Sequence, residues 1–252
     1  MSDSRWNTTA PRGYAGQTAV VDAGLRAYML RVYNYMAAAV ALTGVVAYAT
    51  FNAAVVTDAS GKITALTPFG QTIFSGPLSI VLLLGTLGLV FFISFRINRL
   101  QYTTAMTLFM VYAGLLGVTL SAIFLQYTGT SITRVFFISA ASFGALSLYG
   151  YTTQRDLSGM GSFLVMGLFG LILASLVNLI WPSGALSFAI SVIGVGVFAG
   201  LTAYDTQRIK EMYDSMDDDG TMGRKAIMGA LSLYLDFINL FLMLLRVVGD
   251  RR

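Results

Sequence analysis

Two acids stand where acids are costly. Asp236 lies in the run Leu231-Ser232-Leu233-Tyr234-Leu235-Asp236-Phe237-Ile238-Asn239-Leu240, about ten residues into an apolar stretch near the C-terminus. At 1.5 Å per helical residue that is a depth of roughly 15 Å. Placing an aspartate at the centre of a membrane helix costs about 2.5–3.5 kcal/mol, so such a residue faces a bundle interior or water and is functional by default. Asp205, in Tyr204-Asp205-Thr206-Gln207-Arg208, closes the preceding apolar stretch. An acid near a helix C-terminus meets the negative end of the macrodipole and calls for compensation. If the two acids face each other, both cannot readily ionise, and they share a proton. That chemistry is proton sensing beside an ion path. Simpler roles are open at this point: Asp205 reaching the aqueous interface, and Asp236 bonding a Ser or Tyr of a neighbouring helix. Arg96, at the end of an earlier apolar stretch, is a candidate counter-ion or a plain topological anchor.

Other chemistry is excluded by composition. The 252 residues contain no cysteine and no histidine. That removes thiolate nucleophiles, disulfides and iron–sulfur ligands, and with them the commonest metal ligand and general base. No clustered Ser/Lys dyad stands in for them, so the chain is read as not an enzyme and as carrying no cofactor. A retinal Schiff base needs a lysine inside the bundle, and Lys225 only borders the last stretch. Two carboxylates do not make a tight calcium cage, because calcium takes six to eight oxygens. Asp205 and Asp236 would form a weak calcium site at most, suited to a permeant ion, with carbonyls, water, Asn239 or Gln207 completing the shell. Asp217-Asp218-Asp219-Gly220 lacks the alternating ligands of an EF-hand and reads as a solvated turn.

The elements that position these acids are membrane helices. Charged residues make up 11% of the chain and hydrophobic residues 56%, whereas a soluble domain carries roughly 25% charge. Seven stretches reach the roughly 20 apolar residues that a span requires. They are Tyr33–Ala54, Leu78–Phe95, Thr103–Leu125, Thr133–Thr152, Gly161–Leu179, Ala185–Tyr204 and Ala226–Val248. The fold class is therefore all-α: a polytopic membrane protein of seven transmembrane helices. Residues 1–24 read as a polar N-terminal tail with no signal-peptide core, and residues 25–252 as the membrane domain. Leu25, Tyr28 and Met29 suggest an amphipathic helix start. The loop through Asp58, Gly61, Lys62 and Pro68 reads as turn material with a short interfacial piece near Phe69–Phe74.

Seven spans divide the 16 basic residues unevenly. Eleven share the N-terminal side: Arg5, Arg12, Arg26, Arg31, Arg96, Arg99, Arg155, Arg208, Lys210, Arg224 and Lys225. Five lie opposite: Lys62, Arg134, Arg246, Arg251 and Arg252. The positive-inside rule places the N-terminus in the cytoplasm. The basic tail Arg246–Arg252 runs against this, and a short or re-entrant last helix would reconcile it. The net charge of +4 is thus topological, and no basic, aromatic-interleaved patch points to nucleic acid. Trp181-Pro182 reads as an interfacial tryptophan with a helix stop rather than a lid. Closely spaced glycines (Gly196/Gly200, Gly114/Gly117, Gly167/Gly170) read as helix-packing faces. Finally, Tyr151-Thr152-Thr153-Gln154-Arg155 and Tyr204-Asp205-Thr206-Gln207-Arg208 match at four of five positions with an offset of 53. Both would end spans running the same way, as in a parallel internal repeat.

Tyr204-Asp205-Thr206-Gln207-Arg208 followed by Leu235-Asp236-Phe237-Ile238 resembles the Bax inhibitor-1 family (transmembrane Bax inhibitor motif proteins). Tyr149 to Gly161 and Ala27 to Met36 are similar to its bacterial branch, and the likeness runs from about residue 23 to 249. The resemblance implies a last helix at the centre, wrapped by the other six, and a pH-sensitive calcium leak with Asp205 and Asp236 as the sensing pair. It also makes Arg96 the nearest match for an arginine linked to that pair in some members. The implied location is the bacterial inner membrane, with the lipid bilayer as environment and calcium as permeant ion. The alternative function is a non-transporting regulatory partner of a membrane protease or stress-response factor.

Overall fold

The computed structural model describes residues 12–58 and 62–252, so Arg5, Gly61 and the first part of the polar tail, residues 1–11, lie outside the described residues. Helix α1 (Arg12–Ala54) is followed by a hairpin of β1 (Val55–Thr57) and β2 (Ile63–Leu66), a short helix α2 (Pro68–Phe74) and α3 (Pro77–Arg96). A 3-10 turn (Ile97–Arg99) leads to α4 (Tyr102–Leu120), α5 (Ile123–Gln126) and α6 (Gly129–Thr152). The chain ends with α7 (Ser158–Ile180), α8 (Gly184–Glu211) and α9 (Asp219–Val248). Seven of these segments are long and apolar enough to cross a membrane. In hydrocarbon every backbone N–H must bond within its own segment, which is why unbroken helices are the solution.

The helix starts are written locally. Thr67 caps α2 through the Gly70 N–H with Pro68 in the first turn. Thr128 caps α6 through Ser131, Ser183 caps α8 through Leu186, and Asp218 caps α9 through Thr221. Each side-chain oxygen satisfies an amide that the helix leaves open. The interfacial piece expected at Phe69–Phe74 is α2. The hairpin before it replaces what reads as plain turn: Val55 pairs with Leu66 and Val56 with Ala65, with a bulge between Val56 and Thr57.

Helix α9 is the axis. Of its membrane-length window 61% is buried, against 11% for α3 and for α7. Its immediate wall is α8, α1, α6 and α4, while α3 packs on α4, α7 packs on α8, and the 3-10 turn touches α9. The wrapping is thus two layers deep. The two outermost spans, α3 and α7, present exposed Leu83, Leu84, Phe91, Phe169 and Leu173 to the bilayer. The core around α9 holds Tyr28, Val32, Phe109, Leu231, Leu233 and Tyr234, all buried. Thr43 of α1 joins three helices at mid-depth: its hydroxyl lies 2.9 Å from the Ala113 carbonyl of α4 and 2.7 Å from the Tyr234 hydroxyl of α9.

Three expectations change. The first span extends back to Ala23 within a helix beginning at Arg12, because Arg26 and Arg31 are tolerated at the headgroup end, where long cationic side chains snorkel. The last helix is not short or re-entrant; α9 crosses the whole bundle. Its basic tail is held at the far end, where Arg134 pairs with Asp250 at 2.6 Å, Arg252 donates its N–H to the Gln126 carbonyl, and its guanidinium lies over the Phe51 ring. One opposite-side cation is therefore neutralised and another is fixed by the fold. Lastly, only one glycine of each close pair makes an interhelical contact. A methyl group at Gly117 would meet the Thr43 carbonyl oxygen at 2.7 Å, at Gly167 the Val197 side chain at 3.2 Å, and at Gly200 the Leu164 side chain at 2.7 Å. Gly114, Gly170 and Gly196 face open space.

Candidate functional site

The acid pair is assembled by the antiparallel packing of α8 and α9. Gly229 of α9 receives Ile209 of α8 (2.9 Å from where a Cβ would stand), and Gly194 of α8 receives Met243 of α9 (2.9 Å). These two contacts fix the register on either side of Asp205 and Asp236 and bring them to matched depth. The two carboxyl groups lie side by side, close enough to interact. Asp236 is buried at 5% exposure, and Asp205 is half-buried. Among the described residues no hydrogen-bond donor satisfies the buried Oδ2 of Asp236. Two carboxyl groups this close in a buried setting cannot both ionise readily, because like charges repel and burial disfavours each of them.

Among the described residues no Ser or Tyr hydroxyl bonds Asp236, whose buried Oδ2 stays without a donor, and Asp205 is half-buried on α8. Arg96 is exposed at the end of α3 and, among the described residues, makes no ion pair with either acid. The cation whose charge reaches Asp205 is Arg208, three residues on along α8. It follows from helical spacing, since residues three apart share a face.

The pentapeptide repeat folds in two ways. Tyr151-Thr152-Thr153-Gln154-Arg155 ends α6 at Thr152, and Thr153 is extended (φ −62°, ψ 140°). Its counterpart Tyr204–Arg208 stays helical, and α8 runs on to Glu211. Asp205 is therefore inside a helix, not at its last residue as the apolar run suggests. The second copy holds the first: Gln207 accepts from the Leu157 N–H (2.9 Å) and donates to the Arg155 carbonyl (2.8 Å). Its amide is thereby committed to the α6–α7 loop and not to an ion. Asn239 donates to the Leu235 carbonyl of its own helix at 2.8 Å. No group of three or more Asp, Glu, His or Cys capable of holding a metal occurs among the described residues.

A hydroxyl chain absent from the sequence reading lies beside Asp205. Thr206 donates to the Thr202 carbonyl (2.7 Å), so Ser147 donates to Thr206 (2.9 Å) and Tyr33 to Ser147 (2.6 Å). It links α1, α6 and α8. Close by, the backbone of α8 at Ala203 presses on Gly150 of α6, where an added methyl would lie 2.9 Å from the Ala203 carbonyl carbon. Gly150 and Ala203 occupy equivalent places in the repeat, at the same offset of 53. Extending the repeat by one residue toward the N-terminus gives that crossing. The acidic run before α9 is structural: Asp217 pairs with Lys225 at 2.5 Å and Asp218 caps the helix. Outside the spans, hydrogen bonds from Thr221 hold the Asp218 carboxyl below its ordinary range, and those from Ser158 do the same for Asp156.

A seven-span bundle with a central last helix carrying one half of a buried acid pair defines a class of polytopic membrane protein. A family model described as "Inhibitor of apoptosis-promoting Bax1" matches residues 25–252, and the chain belongs to this Bax inhibitor-1 family. It is 53% identical over 231 residues to an uncharacterized protein of Rickettsia prowazekii, covering 92% of each chain. It is 47% identical over 232 residues to the inner membrane protein YbhL of Escherichia coli, covering 91% of this chain and 94% of that one. An uncharacterized protein of Borreliella burgdorferi is 44% identical over 227 residues, with 89% and 92% covered.

Proposed function

We propose that this protein is a pH-sensitive calcium leak channel of the bacterial inner membrane, gated by Asp205 and Asp236, with its N-terminus in the cytoplasm. The observation that carries the reading is the juxtaposition of two carboxyl groups on antiparallel helices, one of them buried on the central helix with an oxygen that no donor satisfies among the described residues. Removing the shared proton leaves two like charges in contact in a low-dielectric interior, where repulsion is far stronger than in water. The relief is separation of α8 from α9, which opens the inner half of the bundle and exposes carboxylate oxygens to a passing cation. Two acids with water and carbonyls bind calcium weakly, as a leak requires. No catalytic residue is assigned, and the partner is the bilayer. The inner-membrane relative and the eleven-to-five division of basic residues support the location and orientation.

The test is calcium entry into dye-loaded liposomes containing the purified protein, at about pH 6 and about pH 8. Wild type should show flux that differs between the two. Asp205→Asn and Asp236→Asn each leave one acid with no like charge beside it, so the wild-type change of flux with pH should be lost. Flux no greater than in empty liposomes sinks the channel reading and turns attention to a regulatory role on another membrane protein.

A further inference from the structure

A cleft of about 690 Å³ opens between α1 and α6 on the lipid-facing side of the bundle. That is within the roughly 300–1,000 Å³ of small-molecule sites. Its walls are apolar: Leu30 and Leu148 are 52% and 63% exposed, Phe143 backs it, and Gly144 leaves its centre open. From Phe143 to Tyr151 it runs eight residues along α6, roughly 12 Å. One end is different. Exposed Arg26 lines it, and at Tyr151 the Lys210 ammonium lies 5.4 Å above the ring centre and 3.0 Å from the Tyr151 carbonyl oxygen. An apolar slot along the membrane normal with two cations at its headgroup end has the polarity of a phospholipid.

We propose that this cleft binds a phospholipid with a net-negative headgroup, one acyl chain lying along Gly144 and Leu148 and the phosphate on Arg26. An open apolar slot in contact with the bilayer is filled by what the bilayer supplies, and an arginine fork matches phosphate geometry. The adjacent cation adds to the preference for anionic over zwitterionic lipid. The floor of the cleft is the Tyr33–Ser147 hydrogen bond, and Ser147 is bonded to Thr206 beside Asp205, so the lipid rests on the wall that carries the acid pair. The site stands on its own geometry whether or not the protein conducts ions.

The measurement is native mass spectrometry of the full chain released from detergent containing equal phosphatidylglycerol and phosphatidylcholine. Wild type should retain phosphatidylglycerol preferentially. Gly144→Trp fills the slot without meeting a neighbour at its Cβ and should abolish retention, whereas Gly85→Trp, at another open glycine on α3, should leave it unchanged. Arg26→Gln, an exposed substitution, should cut the preference by about fivefold. Equal retention of the two lipids by wild type, or undiminished phosphatidylglycerol retention in both Gly144→Trp and Arg26→Gln, overturns the proposal.

Discussion

Replacing Gly150 with alanine adds one methyl group where α6 crosses α8. The new carbon would stand 2.9 Å from the Ala203 carbonyl carbon and 3.0 Å from its Cα, against about 3.5–4.0 Å for carbon atoms in good contact. The helices must part by roughly 0.6 Å or more, and because the obstacle is backbone, no side-chain rotation relieves it. Overpacking of this kind costs about 1–3 kcal/mol. Alanine's better helix propensity returns at most about 1 kcal/mol. Because the obstacle is backbone the upper part of the overpacking range applies, about 2–3 kcal/mol, and the net loss of about 1–2 kcal/mol corresponds to a melting temperature lower by about 2–8 °C for a chain of this size. Gly144→Ala, on the same helix but facing open space, carries only the propensity gain and should melt at or slightly above wild type. The assay is thermal unfolding of the three purified proteins in one detergent, followed by helical circular dichroism. If Gly150→Ala melts at or above wild type, the close approach of α6 and α8 is not a packing constraint and the reasoning fails.

Three further outcomes follow from the geometry. Gln207→Ala frees the Leu157 amide and the Arg155 carbonyl, so hydrogen exchange should quicken at residues 155–157 while α6 stays protected; unchanged exchange there would show that the amide does not hold the loop. Tyr234→Phe removes the donor to Thr43 while leaving Thr43 its own bonds to carbonyls, a loss of about 0.5–1.5 kcal/mol readable in the same melting assay, and no drop would discount the three-helix junction. The Asp218 cap titrates with a depressed folded value, so its stabilisation is present above the ordinary carboxylate range near pH 3.9 and is lost as pH falls through the lower folded value. Amides of Gly220 and Thr221, corrected for intrinsic rate, should lose protection only on strong acidification, and Asp218→Ala should show that loss already at neutral pH.

The chain's own residues determined the solvent, the number of spans and the oddity of two acids. Lipid offers the backbone no hydrogen bonds, so each crossing must be an unbroken apolar helix of fixed minimum length, and that constraint is local. The cap residues Thr67, Thr128, Ser183 and Asp218 are equally local, as is the interfacial helix after Pro68. Elements decided by distant contacts are another matter. Two pentapeptides alike at four of five positions end α6 and continue α8, and only the second copy has a loop, at Arg155 and Leu157, for its glutamine to grip. The hairpin between α1 and α2 has strands of only 3 and 4 residues, too short to announce themselves. Arg96 has the right position along the chain but faces out, while Arg208 acquires its role from sharing a helical face with Asp205. That Asp205 and Asp236 lie side by side was beyond the sequence without a family resemblance, since depth along two helices does not set their rotation or register. The tertiary structure sets both through Ile209 on Gly229 and Met243 on Gly194, because a glycine admits one neighbour closely and a helix pair with two such notches has a single register that fills them.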